Sequence, residues 1–230
     1  MKLSARSYQK ELLDGNDIPF ADIRQNMREL NFINTYLGGH AITISGFRSL
    51  LGNRKSISVC EIGCGGGDNL LAIYHWCQRH GINASITGID YNKECIQVAR
   101  EQLPAAAALI CSDYKAVNFN DQRPDIIFSS LFCHHFTEPE LVFMLQWMRE
   151  HSVTGFFIND LHRHFLAYYS IKMLTGLFSK SYLVRHDAPL SVQRGFSRKE
   201  WQLLLQQAGL PEYEIAWKWA FRWLITSRHQ

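Results

Sequence analysis

The stretch Cys60-Glu61-Ile62-Gly63-Cys64-Gly65-Gly66-Gly67-Asp68-Asn69 lies between the apolar runs Ile57-Ser58-Val59 and Leu70-Leu71-Ala72-Ile73. A strand that turns through glycine straight into a helix is how nucleotide-binding α/β folds make their first ligand loop, because glycine admits conformations and close approaches that a side chain forbids. The spacing narrows the ligand. A dinucleotide fingerprint would place glycines at 63, 65 and 68, but position 68 is Asp68, and a carboxylate at a helix start repels a pyrophosphate. The loop also lacks a Lys followed by Ser or Thr, so it is no phosphate-binding P-loop.

Downstream, strand-like and helix-like segments alternate. Residues 56–63, 84–90, 107–114, 124–131 and 153–160 are short, nearly continuous apolar runs, and helical patterns follow the first, second and fourth of them. This rhythm predicts a parallel sheet with both faces covered. After the fifth strand it breaks: residues 161–195 are aromatic and basic, too long for a plain connection, and should hold a helix over 165–178 followed by a loop. Ser197 and Glu200 form a capping box for the next helix, and Gly209 stops it. Residues 213–228 have period-two character and read as two strands joined by a tight turn near Ala220. Upstream, Ile23, Met27, Leu30, Ile33 and Leu37 recur at helical spacing and end at Gly38-Gly39, so residues 1–52 are expected to form a helical cap on a main domain over 53–230.

With 230 residues, 47% of them apolar and 20% charged, the chain can bury one α/β core and is not a disordered polymer. A net charge of +3 is too small to argue for a nucleic-acid partner. The N-terminus has scattered charges and no apolar run of the secretory kind, and no segment reaches membrane-span length. Six cysteines without a CxxC pair read as reduced thiols. A cytoplasmic monomer or homodimer is expected.

The pattern Glu61-x-Gly63-x-Gly65-x-Gly67 resembles the first motif of class I S-adenosylmethionine-dependent methyltransferases. Their ligand carries a sulfonium, an ammonium, a carboxylate and a ribose but no phosphate, so nearby carboxylates become favourable. Asp90, ending the second strand, is placed to accept from ribose hydroxyls. Asp113, ending the third, stands where the family contacts the adenine amino group, or is simply a turn former. The fourth strand from Asp125 resembles the family's fourth motif, and Ala208-Gly209-Leu210 with the closing strand pair also matches. The resemblance spans residues 56–227 and is to small-molecule enzymes similar to the quinone-biosynthesis type. It implies a Rossmann-like, doubly wound, seven-stranded sheet, mostly parallel with an antiparallel C-terminal strand. It also implies cofactor contacts from Glu61, Gly63, Gly65, Gly67, Asp68, Asn69, Asp90, Tyr91, Asp113, Tyr114 and Ser130.

Methyl transfer to a phenol or enol gains from removal of the acceptor proton, and histidine is the usual base near neutral pH. His134 and His135 follow the fourth strand and His162 and His164 the fifth, at the ligand-binding edge of such a sheet. If the adjacent pair is extended its rings diverge, so only one of the two should face an acceptor. Asp160 could orient a histidine or act itself. Asp160, His162 and His164 alternate and would share a strand face, which raises a metal site, but the acidic ligand pattern of cation-dependent phenol methyltransferases is not evident and no metal is expected. The insertion over 161–195 should form a lid with the N-terminal helices, with Tyr36, His40, Phe165, Tyr168, Tyr169 and His186 as acceptor contacts. The expected activity is O-methylation of a small aromatic or polyketide-like hydroxyl. C-methylation of a quinone-like ring, an NAD-dependent oxidoreductase and a non-catalytic nucleoside-binding protein are the alternatives.

Overall fold

The computed structural model describes residues 3–15, 17–120 and 122–229. Helices α1 (Phe20–Tyr36) and α2 (Gly39–Leu51) precede β1 (Ser56–Ile62), α3 (Asp68–Arg79), β2 (Asn83–Asp90), α4 (Lys93–Gln102) and β3 (Ala108–Cys111). Then come β4 (Ile126–Ser130), α5 (Glu138–His151), β5 (Gly155–Leu161), α6 (Phe165–Phe178), α7 (Tyr182–Arg194), α8 (Arg198–Gln207), β6 (Glu214–Lys218) and β7 (Arg222–Arg228). The seven strands lie in the order β3-β2-β1-β4-β5-β7-β6. All pairings through β5 are parallel, whereas β7 runs antiparallel to both of its neighbours. Strand order reverses between β1 and β4, so the crevice beyond their carboxyl ends is the ligand position of a doubly wound sheet.

Alternation along the central strands assigns the two layers. Ile127, Phe156, Ile158 and Ile225 pack with Leu141 and Met144 of α5 and Trp201 and Leu204 of α8. Their neighbours Ile126, Phe128, Phe157 and Leu224 pack with Phe47 of α2 and Leu70 and Ile73 of α3. Strands buried on both faces lose the polar alternation of an exposed sheet, which explains their nearly unbroken apolar runs.

The loop expected after α6 is instead a helix. Ser181 caps α7 by accepting from the Val184 amide at 3.4 Å, and Leu183, Val184, Leu190 and Val192 are buried. Pro189 within it discourages a helical reading from sequence, but the buried face outweighs one missing backbone bond. Among the described residues, no helix is long and apolar enough to cross a membrane.

Candidate active site

The glycine turn is shaped by sterics. Gly63, Gly65 and Gly67 have φ of +67°, +50° and +79°, a region that L side chains rarely adopt. At Gly63 a Cβ would also lie 2.3 Å from the Phe132 ring. The amides of Gly63 and Cys64 donate to the Ile89 carbonyl, and that of Gly65 donates to Asp90 Oδ2 at 2.9 Å. These bonds tie β1 to the end of β2 and place Glu61, Asp68 and Asp90 around one space.

Those three carboxylates differ in how they are held. Glu61 is buried on β1 with Oε2 lacking a partner among the described residues. Burial, then the charges of Asp68 and Asp90, pushes its carboxyl well above the usual range. Burial also raises Asp90, only partly offset by the amides of Asn92 and Gly65. Asp68 Oδ2 instead lies 2.8 Å from His40 Nε2 and accepts from Asn34 Nδ2 at 2.9 Å. Burial opposes ionisation there, but His40 and Asn34 hold the carboxyl below its usual value. Arg222 opens β7 beside this group; its Nη2 donates to Asn34 Oδ1 while the buried Nη1 has no partner among the described residues.

On the other side of the same cavity lies an alternating run of carboxylates and imidazoles. His134 Nδ1 is 2.8 Å from Asp160 Oδ1, and its Nε2 faces Glu11 Oε1 at 3.5 Å. His135 Nε2 is 3.8 Å from Glu11 Oε2, and its Nδ1 is 3.0 Å from Asp14 Oδ1. Burial lowers the pKa of His134, but Asp160 and Glu11 outweigh it and push the value up to about 9. The converse holds for the acids: burial raises Glu11, Asp14 and Asp160, yet the facing histidines leave all three below their usual values. Guanidinium groups pin this arrangement, since Arg6 Nη2 and Arg194 Nε both donate to the His134 carbonyl, at 3.3 and 3.0 Å. Ligand atoms of Glu11, His134 and His135 lie within 4.8 Å of one another and could hold a metal ion; histidine–carboxylate pairing accounts for the same closeness.

Several expectations need correction. His134 and His135 are not extended: they sit in a 3-10 turn, Cys133–His135, and their rings approach to 4.4 Å, so both face Glu11. Asp160 does not join His162 and His164, because it points inward to His134. His162 Nδ1 accepts from Trp217 Nε1 at 3.2 Å, and His164 Nδ1 caps α6 at the Leu166 amide. Burial, then the neighbouring His164 and Arg163 charges, lowers the pKa of His162. Asp113 caps a 3-10 turn through the Lys115 amide, and Tyr114 packs into the core between Phe136 and Trp147; neither lines the cavity.

The lid register also differs. Ala167, Ser170, Ile171 and Leu174 of α6 line the cavity, whereas Phe165, Tyr168 and Tyr169 do not. Those four recur at i, i+3, i+4 and i+7, one helical face, and the bulkier aromatics fall off it. His186 points to Asp187 at 2.7 Å, and Tyr36 stacks on Phe32 at the surface. His40 acts only through Asp68. Asn69 is buried, lines the cavity and accepts from Thr43, while Ser130 Oγ has no partner among the described residues and also lines the cavity. Tyr91 contributes to the wall despite being exposed. Glu11, Asp14, Asn34, Arg194 and Arg222 escape sequence reading: no motif surrounds them, and partners lie up to 188 positions away.

One cavity of about 850 Å³ joins these groups, reaching from Gly63, Glu61 and Asp90 to Glu11, His134 and His135 beneath an apolar wall from α1, α6 and α7. The buried, unpartnered oxygens of Glu61 and Ser130 and the open glycine turn fit a ligand with a cationic end and a nucleoside, which is the chemistry of S-adenosylmethionine.

Comparison with known proteins agrees with this chemistry. The profile of the family described as "Methyltransferase domain" matches residues 59–155. The mitochondrial ubiquinone biosynthesis O-methyltransferase of Saccharomyces cerevisiae is 27% identical over 126 residues, 52% of this chain, which spans only 38% of that relative's length. Among solved structures, the plantazolicin methyltransferase BpumL in complex with S-adenosylhomocysteine aligns at 20% identity and a TM-score of 0.68, covering 92% of this chain and 89% of that one. The magnesium protoporphyrin IX methyltransferase of Synechocystis PCC 6803, also with S-adenosylhomocysteine, aligns at 14% identity and a TM-score of 0.54 over 94% and 90% of the two chains. At these identities the structural likeness bears on fold alone. On the strength of the domain match at 59–155, somewhat under half of the chain, together with the seven-stranded fold and the carboxylate-flanked glycine turn, this chain resembles the class I S-adenosylmethionine-dependent methyltransferases.

Proposed function

We propose that this chain methylates the hydroxyl of a small, largely apolar phenolic or polyketide-like acceptor, with S-adenosylmethionine as methyl donor. One observation carries the reading: the glycine turn and the Glu11–His134–His135 cluster open into the same apolar-walled cavity. The bound donor supplies an electrophilic methyl on sulfur. Asp90 is proposed to take the ribose, Glu61 and Asp68 the ammonium, and Arg222, through its free Nη1, the carboxylate. A cation beside Glu61 would also restore its ionised form.

On the acceptor side, Asp14 faces His135 Nδ1 at 3.0 Å and orients the ring with Nε2 on the opposite side. His135 is therefore assigned as base for the acceptor hydroxyl, with Glu11 as its neighbour across the cavity. His134, held protonated by Asp160 and Glu11, is unsuited to take a proton at neutral pH. Its positive charge instead stabilises the developing phenolate. Of the six cysteines, five are buried and none is bonded to another among the described residues, in keeping with the cytoplasmic location we propose.

The test pairs binding with turnover. Calorimetry with S-adenosylhomocysteine and transfer of labelled methyl to a panel of alkyl-substituted phenols are measured for the wild type, H135Q and E11Q. H135Q should lower kcat by about 10²–10⁴-fold, the range for loss of a general base, with S-adenosylhomocysteine affinity unchanged. Unimpaired turnover in H135Q would remove the base assignment, and failure of the wild type to bind S-adenosylhomocysteine would remove the whole reading.

A further inference from the structure

Helix α6 is apolar on the side that faces solvent as well as on the side that lines the cavity. Phe165, Leu166, Tyr169, Met173, Leu174, Leu177 and Phe178 are all exposed, with Leu177 at 69% and Phe178 at 76%. A helix that is apolar all round is ordinarily buried in protein or lipid. The surface continues beyond α6: His164 stacks on Phe165 at 4.8 Å and on Phe221 at 5.1 Å, and Phe221 meets Trp219 at 5.9 Å. Trp219 is 68% exposed, and with Phe221 it also lines the cavity. One apolar band therefore rims the entrance to the acceptor space.

Charge says what covers it. From His162 to His186 the sequence contains Arg163, Lys172, Lys180 and Arg185 and not one Asp or Glu. Arg163 is engaged by Glu200, whereas Lys172 and Lys180 are exposed beside the apolar residues. The adjacent acid, Glu29, is tied by hydrogen bonds to the amides of Lys180 and Ser181 and to the Ser179 hydroxyl, not to a lysine ammonium. Aromatic and aliphatic side chains flanked by exposed lysines without a carboxylate partner among the described residues are the composition of a helix that lies in the interface of an anionic bilayer.

We propose that α6, together with Trp219, docks this protein on an anionic lipid surface, so that the cavity opens against the membrane and receives a lipophilic acceptor from it. The docking is peripheral, with the apolar face of α6 inserted at headgroup depth and Lys172 and Lys180 meeting anionic headgroups. A second copy of the chain covering the same face is the competing occupant, and the experiment separates the two.

The full chain is floated with vesicles of pure phosphatidylcholine and with vesicles containing phosphatidylglycerol, and its mass in solution is followed by light scattering. Binding to the anionic vesicles is expected. The double variant L177E/F178E should lose at least about 100-fold in vesicle affinity, each apolar side chain counting for about 1.5–3 kcal/mol when fully transferred. Lys172→Gln and Lys180→Gln should each lose about fivefold, the equivalent of about 1 kcal/mol per cation near the surface. Leu177 and Phe178 are exposed and do not line the cavity, so the melting temperature and S-adenosylhomocysteine affinity of L177E/F178E should match the wild type. These readouts involve no methyl transfer, so the docking and the proposed reaction stand or fall separately. Absence of vesicle binding, binding indifferent to L177E/F178E, or a dimer that this variant dissociates without any vesicle binding by the wild type would each overturn the proposal.

Discussion

Replacing Asp160 by Asn tests the charged arrangement at the centre of the site. Asp160 is fully buried, with Oδ1 2.8 Å from His134 Nδ1 and 2.7 Å from the Leu161 amide. Asn keeps the size and the carbonyl acceptor for Leu161 but removes the charge. His134 titrates at about 9 in the folded protein, and the ordinary histidine value is about 6.5, so the folded site favours the imidazolium by roughly 3 kcal/mol. Because folding raises this pKa, the stabilisation is fully present below about pH 6.5 and is lost as pH rises through about 9. Asp160 exerts the larger of the two carboxylate pulls on His134, so D160N should cost about 2–3 kcal/mol near neutrality. With about 2.1 cal/mol/K of unfolding entropy per residue over 230 residues, that is roughly 4–6 °C in melting temperature. The assay is thermal unfolding of both proteins at about pH 6.5 and about pH 9.5. At the higher pH His134 is mostly neutral in the wild type and Asp160 keeps only the more distant charges of Arg222 and Arg6, so the gap should narrow. An equal gap at both pH values would refute the charged pair and leave Asp160 as packing alone.

Other perturbations address the donor side. Gly63→Ala should destabilise by more than about 2 kcal/mol, since positive φ and overpacking both act there. Gly81→Ala is its control: φ is +65° but nothing lies within 4 Å of the added Cβ, so urea titration should find about 1 kcal/mol there, and equal losses would sink the steric argument. Asp90→Ala should weaken S-adenosylhomocysteine binding about 10–100-fold by calorimetry, as expected when hydrogen bonds to an ionised acceptor are lost, and an unchanged Kd would take Asp90 out of the ribose site.

The strand–glycine–helix transition at 56–73 could be read from sequence because its causes are local: apolar runs, a turn that needs positive φ, and a helix start all lie within a few residues. The C-terminal strand pair and the capping box at Ser197 and Glu200 were legible for the same reason. Helix α7 was not, because Pro189 argues locally against it while its stabilisation comes from burial of Leu183, Val184 and Leu190. The cavity-lining face of α6 is not legible either, since aromatic side chains stand out in a sequence but helical phase decides what lines a cavity.

The chemistry divides along the same line. By itself the sequence determines a strand–glycine–helix turn, with Glu61 near the end of one strand, Asp68 at the start of the helix and Asp90 at the end of the next strand. Only tertiary structure brings Glu11 and Asp14 from a short 3-10 turn near the N-terminus onto His134 and His135, and Asp160 from the neighbouring strand beneath them. Their ionisation states are decided there too. Interaction between groups as far apart in sequence as Glu11 and His134 has no trace in local pattern, yet within about 4 Å in a buried site it helps hold the His134 imidazolium.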